Sequence, residues 1–141
     1  MVAWLSAYEG GFPLQAYAWT HQYYVVSSTL GDEAMFVDIT GAVIARSGQA
    51  HGLAIEDINL DRKLFHSELN ARHLNAVRQR YGDGVRIREF GPEVCFTLEP
   101  TDDRVDMAQL MREFDLVTYD EFHAQMTQLQ DEARAKQRGG Q

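Results

Sequence analysis

The sequence predicts an α/β fold in which a strand-helix-strand crossover and an antiparallel meander build a mixed sheet, with helices gathered toward the C-terminus. Three observations carry this. The apolar run Val2-Ala3-Trp4-Leu5 breaks at Ser6, Gly10-Gly11 reverses the chain, and Pro13 stands where a first helical turn tolerates a missing N–H. The β-rich run Tyr23 to Ser28 follows a helix of about ten residues, so its strand should lie parallel to the first, in a sheet covered on both faces. Thr40-Gly41 then separates two further β-rich runs as a hairpin turn.

Taken in order, the first helix places Leu14, Tyr17, Ala18 and His21 on one face, the i, i+3, i+4, i+7 pattern. After the polar break Thr29 to Glu33, Ala34 to Ile39 and Ala42 to Arg46 form the hairpin strands. Ser47 to His51 is a second break. Gly52 to Ile58 then alternates, with Leu53, Ile55 and Asp57 opposite Ala54, Glu56 and Ile58, and predicts another strand. Asn59-Leu60-Asp61 opens what reads as the longest helix, capped by Asp61, striped by Phe65, Leu69, Ala76 and Val77, and ended at Gly82. Val85 to Phe90 alternates as a half-buried strand with Arg86 and Arg88 facing solvent, Gly91-Pro92 breaks it, and Val94 to Leu98 is a short strand. Val105, Ala108, Met111 and Phe114 mark one helix. Thr118-Tyr119-Asp120-Glu121 is a capping box for another, bearing Phe122, Met126, Leu129 and Ala133, which should fray from about Lys136.

A chain of 141 residues with 45% hydrophobic and 11% aromatic content is long and apolar enough for a folded core. No apolar run approaches the roughly 20 residues that span a bilayer, and the N-terminal run lacks a basic flank, so a cytoplasmic location is expected. Twenty-one acidic against thirteen basic residues give a net charge of −8, which repels phosphate backbones and anionic lipid. Neither nucleic acid nor a membrane is an expected partner.

The side chains that could carry chemistry mostly have plainer roles. Cys95, the one cysteine, lies on an apolar strand-like run and reads as buried and inert. Tyr17, Trp19, Tyr23 and Tyr24 could stack a ligand, but their helix and strand spacing favours core. His21, His51, His66, His73 and His123 include no i, i+4 pair, and no metal or other cofactor is expected. Asp32-Glu33 and Asp102-Asp103 sit in polar breaks as solvated charges. Arg78, Arg80, Arg86 and Arg88 form a basic patch suited to intramolecular or subunit ion pairs. No nucleophile elbow, phosphate loop or dinucleotide fingerprint is present.

Together, Trp4-Leu5-Ser6-Ala7-Tyr8, Gly10-Gly11, Pro13-Leu14, Ala18, Tyr23 to Ser28, Met35 to Asp38, Gly41 and Ile58-Asn59-Leu60-Asp61 resemble the C-terminal half of the carbon-nitrogen hydrolase family, the nitrilase and amidase superfamily. The resemblance spans residues 2 to about 70. It implies a partial nitrilase-like α-β-β-α sandwich, with residues 1–84 as the C-terminal half of the hydrolase domain and 85–141 as a mostly helical extension on the same core. It also implies hydrolysis of an amide, carbamoyl or nitrile bond through a Glu base, an oxyanion-stabilising Lys and a Cys nucleophile. By the family's order that triad precedes Val2, and Cys95 does not correspond to its Cys. No catalytic residue is therefore assigned here, and the chain alone is expected to be inactive. Tyr8 and Glu9 fall where the family lines its substrate pocket, at the C-terminal end of a parallel strand. A homo-oligomer is expected. The alternative is a non-catalytic assembly or small-molecule-binding module on the same scaffold.

Overall fold

The computed structural model describes residues 1–8, 10–30, 33–48, 52–91 and 93–139, and shows a mixed α/β chain in two compact units, Met1–Leu60 and Asp61–Gln141. The 84/85 division drawn from the sequence falls inside the second unit.

The first unit comprises β1 (Val2–Ser6), α1 (Gly11–His21), β2 (Val25–Thr29), β3 (Met35–Val37) and β4 (Val43–Arg46), with the strands ordered β1-β2-β3-β4. As expected, β1 and β2 run parallel, Val2 opposite Val25 and Trp4 opposite Ser27, and α1 is the crossover between them. Both other pairings are antiparallel. Leu14 and Ala18 of α1 pack with Val25, Met35 and Val37 into one cluster, whereas Tyr17 and His21 are exposed, so the buried stripe is narrower than the spacing suggested. Gln22 ends the helix in the left-handed region at φ 50°.

Glycine is required at the hairpin turn. Gly41 has φ 75°, donates its N–H to the Asp38 carbonyl, and would place a Cβ 2.9 Å from the Gln15 carbonyl oxygen. Two serines tie the meander together. The buried Ser27 hydroxyl accepts the Met35 N–H at 2.8 Å, and that of Ser47 accepts the Ala34 N–H at 2.8 Å.

Two expectations for this unit need correction. The parallel pair is not covered on both faces: Val2 to Leu5 are all exposed, because β1 lies at the sheet edge and the α1 cluster draws on β2 and β3, with Tyr23 and Val43 packed against it. The strand expected over 52–58 is not formed. Those residues belong to no helix or strand, with Leu53 65% and Ile55 81% exposed, because alternation needs a ladder partner and none is present among the described residues. Gly31, Asp32, Gln49, Ala50 and His51, in the expected polar breaks, lie outside the described residues.

The second unit holds β5 (Lys63–His66), α2 (Ser67–Asn70), a 3-10 turn (Ala71–His73), α3 (Leu74–Tyr81), a second 3-10 turn (Gly82–Gly84), β6 (Val85–Phe90), β7 (Cys95–Pro100), α4 (Met107–Glu113) and α5 (Tyr119–Gly139). Its antiparallel sheet is ordered β5-β7-β6. The single helix expected over 61–81 is thus replaced by a strand, a short helix, a 3-10 turn and α3. Phe65 and Leu64 are buried opposite Phe96 and Thr97 of β7, and the Phe65–Phe96 rings stack at 5.3 Å. His66, not Asp61, caps the helix that follows, its Nδ1 accepting the Glu68 N–H.

Leu74, Val77, Phe96, Leu98, Met107 and Leu110 complete this core with Phe65. Asn70, fully buried, knits it to the chain before α5, donating to the His66 and Val117 carbonyls at 2.7 and 2.9 Å and accepting the Val117 N–H at 2.9 Å. The capping box at Thr118 forms as read: Glu121 Oε2 accepts the Thr118 N–H, and Thr118 Oγ1 accepts the Glu121 N–H. Helix α5 runs to Gly139 and is the longest helix among the described residues. Between β6 and β7, Val94 adopts φ 52°, which a β-branched residue rarely does; its carbonyl accepts the Ser67 N–H there. Pro92 of the expected break lies outside the described residues.

Candidate functional site

The site the sequence points to lies at the C-terminal end of β1, where the strand gives way to α1. The chain turns there through Gly10 at φ 85° and Gly11 at φ 53°. Gly10 is the N-cap of α1 and supplies no side-chain cap, so the positive end of the helix dipole lies at this corner. The Ser6 hydroxyl accepts the Tyr8 N–H at 3.2 Å and holds the start of the loop. Tyr8 is 76% exposed and Phe12, in the first turn of α1, is 75% exposed. Glu9 lies outside the described residues.

Chemically this corner offers amide donors, a phenol and an apolar ring. Among the described residues its one hydroxyl besides the phenol is Ser6, engaged with the Tyr8 N–H. Ser6 and Phe12 were not singled out from sequence; Phe12 follows the Gly10-Gly11 pair directly, and an aromatic beside a reversing glycine pair was the available signal.

The remaining candidates are dispersed. Cys95 is 1% exposed on β7, and burial pushes its thiol up to about 11, with the Glu93 carboxylate adding to the effect. Such a thiol is protonated at neutral pH. The aromatic group divides in two. Tyr24 is core, its hydroxyl donating to the Asn59 carbonyl, and Tyr23 is half-buried against the α1 cluster, while exposed His21 stacks between Tyr23 and exposed Tyr17 with ring separations of 5.5 and 6.3 Å.

His66 stacks on Phe122 at 4.0 Å, His123 packs against Tyr119, and His73 accepts from Arg72. Among the described residues no three His, Cys, Asp or Glu side chains gather in a metal-binding arrangement. His51 lies outside the described residues.

The arginine patch is tied up within the chain. Arg78 pairs with Glu89, Arg80 with Glu113, and Arg86 with Glu99, while the Arg88 guanidinium lies 5.2 Å from the Phe90 ring centre. Glu99, 5% exposed, also meets Arg62 at 2.9 Å, so this carboxylate sits between two guanidinium groups. A shallow groove of about 700 Å³ runs past Arg80, Tyr81, Asp83, Thr101, Asp102 and Arg104. Its cations are neutralised locally: the Arg104 guanidinium and backbone hold the Asp102 carboxyl down at about 2. Hydrogen bonding to Glu113 and burial raise the Tyr81 phenol above its ordinary range, burial being the larger cause.

No family model, curated protein or solved structure matches the chain. The function must therefore be argued from these residues. Among the described residues, no helix is long and apolar enough to cross a membrane.

Proposed function

We propose that this chain is the C-terminal portion of a carbon-nitrogen hydrolase, acting on an amide, carbamoyl or nitrile bond once a second polypeptide segment supplies the Glu, Lys and Cys that the family resemblance calls for. The observation that carries the reading is β1. It is parallel to its one neighbour, exposed from Val2 to Leu5, and leads directly into the Gly10-Gly11 corner. Parallel strands normally sit inside a sheet with both faces covered, so an apolar parallel strand at an open edge suits a sheet that continues into another segment.

In this reading Tyr8 and Glu9 line the substrate pocket, and the positive end of the α1 dipole lies beside it. Nothing in the chain replaces the thiol, since Cys95 is buried and protonated. The nitrilase-like sandwich belongs to the same proposal. So does the assignment of the second unit as an extension.

The test is co-expression of the full chain with the N-terminal half of a carbon-nitrogen hydrolase bearing the Glu, Lys and Cys, followed by ammonia release from amide, carbamoyl and nitrile substrates. Turnover by the combination, abolished by replacing the added Cys but indifferent to Cys95→Ala, is expected. Turnover by the chain alone, or its loss in Cys95→Ala, overturns the assignment; a complex that binds small amides without turnover favours the non-catalytic module.

A further inference from the structure

We propose that residues 53–58 are a donor segment that adds itself as a strand to another protein's open sheet edge, one flanked by lysine or arginine. The sequence alternates there as a strand does, and what is missing is the ladder. From Gly52 to Asn59 the chain forms no helix, strand, turn or bend, so it runs on without reversing. Both ends are held. The Gly52 N–H donates to the Gly48 carbonyl at 3.0 Å, and the Asn59 carbonyl accepts the hydroxyl of buried Tyr24 at 3.0 Å.

Between these anchors, residues 53–58 make no hydrogen bond to any described residue. Other connections close on themselves. The hairpin turn does so through the Asp38 and Gly41 N–H groups, the link before α4 through Val105 N–H to the Asp102 carbonyl, and the link before α5 through Leu116 N–H to the Met111 carbonyl and Val117 N–H to Asn70. Six consecutive residues with unused backbone donors and acceptors are what a second ladder takes up.

The side chains divide to match. Leu53 and Ile55, two apart and so on one side of an extended run, are 65% and 81% exposed, while Ala54 and Ile58 on the other side are half-buried. One side rests on the protein, and the other offers aliphatic groups beside the unused backbone. An added strand is recognised in this way, main-chain bonds supplying affinity and pockets for alternate side chains supplying specificity. The partner's charge follows from Glu56 and Asp57, which are exposed, lie on opposite sides and have no ion pair among the described residues. Carboxylates on both sides call for lysine or arginine around the receiving edge and reject an acidic one.

Two synthetic β-hairpin peptides serve as probes, one alternating valine with lysine along its open edge, the other valine with glutamate. Each is added in excess to the full chain, and amide hydrogen exchange over 53–58 is read by mass spectrometry. In the free chain these amides should exchange as fast as those of an unstructured peptide, and the lysine hairpin should slow them at least about tenfold while the glutamate hairpin does not. Ile55→Pro removes one N–H that has no partner in the folded chain, so it should abolish the slowing and leave circular dichroism unchanged. Glu56→Lys combined with Asp57→Lys should reverse the preference between the hairpins.

Exchange over 53–58 that the lysine hairpin leaves unchanged overturns the proposal. So does slowing that survives in Ile55→Pro, or equal slowing by both hairpins. Protection that appears without a probe and grows with chain concentration assigns the segment to a second copy, where β6 offers Arg86 and Arg88, and also overturns it. None of these results bears on hydrolase turnover, and a failed turnover assay leaves the donor segment standing.

Discussion

Asn70→Ala removes three hydrogen bonds at a fully buried side chain: two donated to the His66 and Val117 carbonyls, and one accepted from the Val117 N–H. Alanine restores none of them. Each net hydrogen bond contributes about 1 kcal/mol, and a buried amide left without an acceptor costs about 1–3 kcal/mol. The two carbonyls lose one donor each, a smaller penalty. The expected destabilisation is therefore about 3–4 kcal/mol, beyond the usual range for a single substitution. In thermal melts of the full chain this corresponds to a fall in Tm of about 10–15 °C, read by circular dichroism.

Asn70→Asp separates the donors from the acceptor. It keeps an oxygen for the Val117 N–H but aims a carboxylate at two carbonyl oxygens, which raises its pKa in the folded state. A raised carboxyl pKa means that the protonated form is the one compatible with folding, so its penalty grows as pH rises above the unfolded value of about 3.9. Relative to the parent, Asn70→Asp should be closer in stability at pH 4 than at pH 7. A loss under about 1 kcal/mol in Asn70→Ala, or an Asp variant with no such pH trend, would refute the account of this residue as a fully engaged clamp.

Gly41→Ala should cost about 2 kcal/mol or more, since φ 75° is strained for any L side chain and the Gln15 carbonyl stands 2.9 Å from the added carbon; an equilibrium urea titration reads it. Val94→Asn should stabilise by about 1 kcal/mol, because asparagine tolerates φ 52° where valine does not; a midpoint unchanged or lowered in the same titration counts against strain there. Cys95 should resist iodoacetamide at pH 8 in the folded chain and react fast in denaturant. Because its folded pKa of about 11 lies above the unfolded value, burial of the neutral thiol contributes stability fully below about pH 8.5, and this is lost as pH rises through about 11. Rapid labelling at pH 8 without unfolding would contradict that.

Local signals were the legible part of this fold. Gly10-Gly11 and Pro13 placed α1 within two residues, Gly41 placed the hairpin turn, and the Thr118–Glu121 box placed the start of α5, because each is decided by contacts within one turn of chain. The errors came where a distant partner decides. Phe65 fits a helical stripe with Leu69, yet it is a strand residue because Phe96, thirty-one positions on, closes over it. Leu53 and Ile55 alternate as a strand should, but alternation says only which face would be buried, not that a neighbour exists. Asn70 carries no pattern at all, since an asparagine in a helix looks like any polar surface residue until Val117 is found beside it.

At the candidate site the glycine corner was readable, because a Gly-Gly pair reverses the chain within its own turn. The openness of β1 was not, because a continuous apolar run looks the same whether it is buried between neighbours or left at a rim.

From Thr127 to Arg138 every residue of α5 is exposed. At 1.5 Å per residue this is a rod of about 18 Å extending beyond the Phe122 anchor. Its amides should exchange with solvent deuterium far faster than those around Phe122, each turn opening without disturbing anything beneath it. A spin label or fused reporter carried near Gln137 would therefore sense its own motion, not the melting of the core.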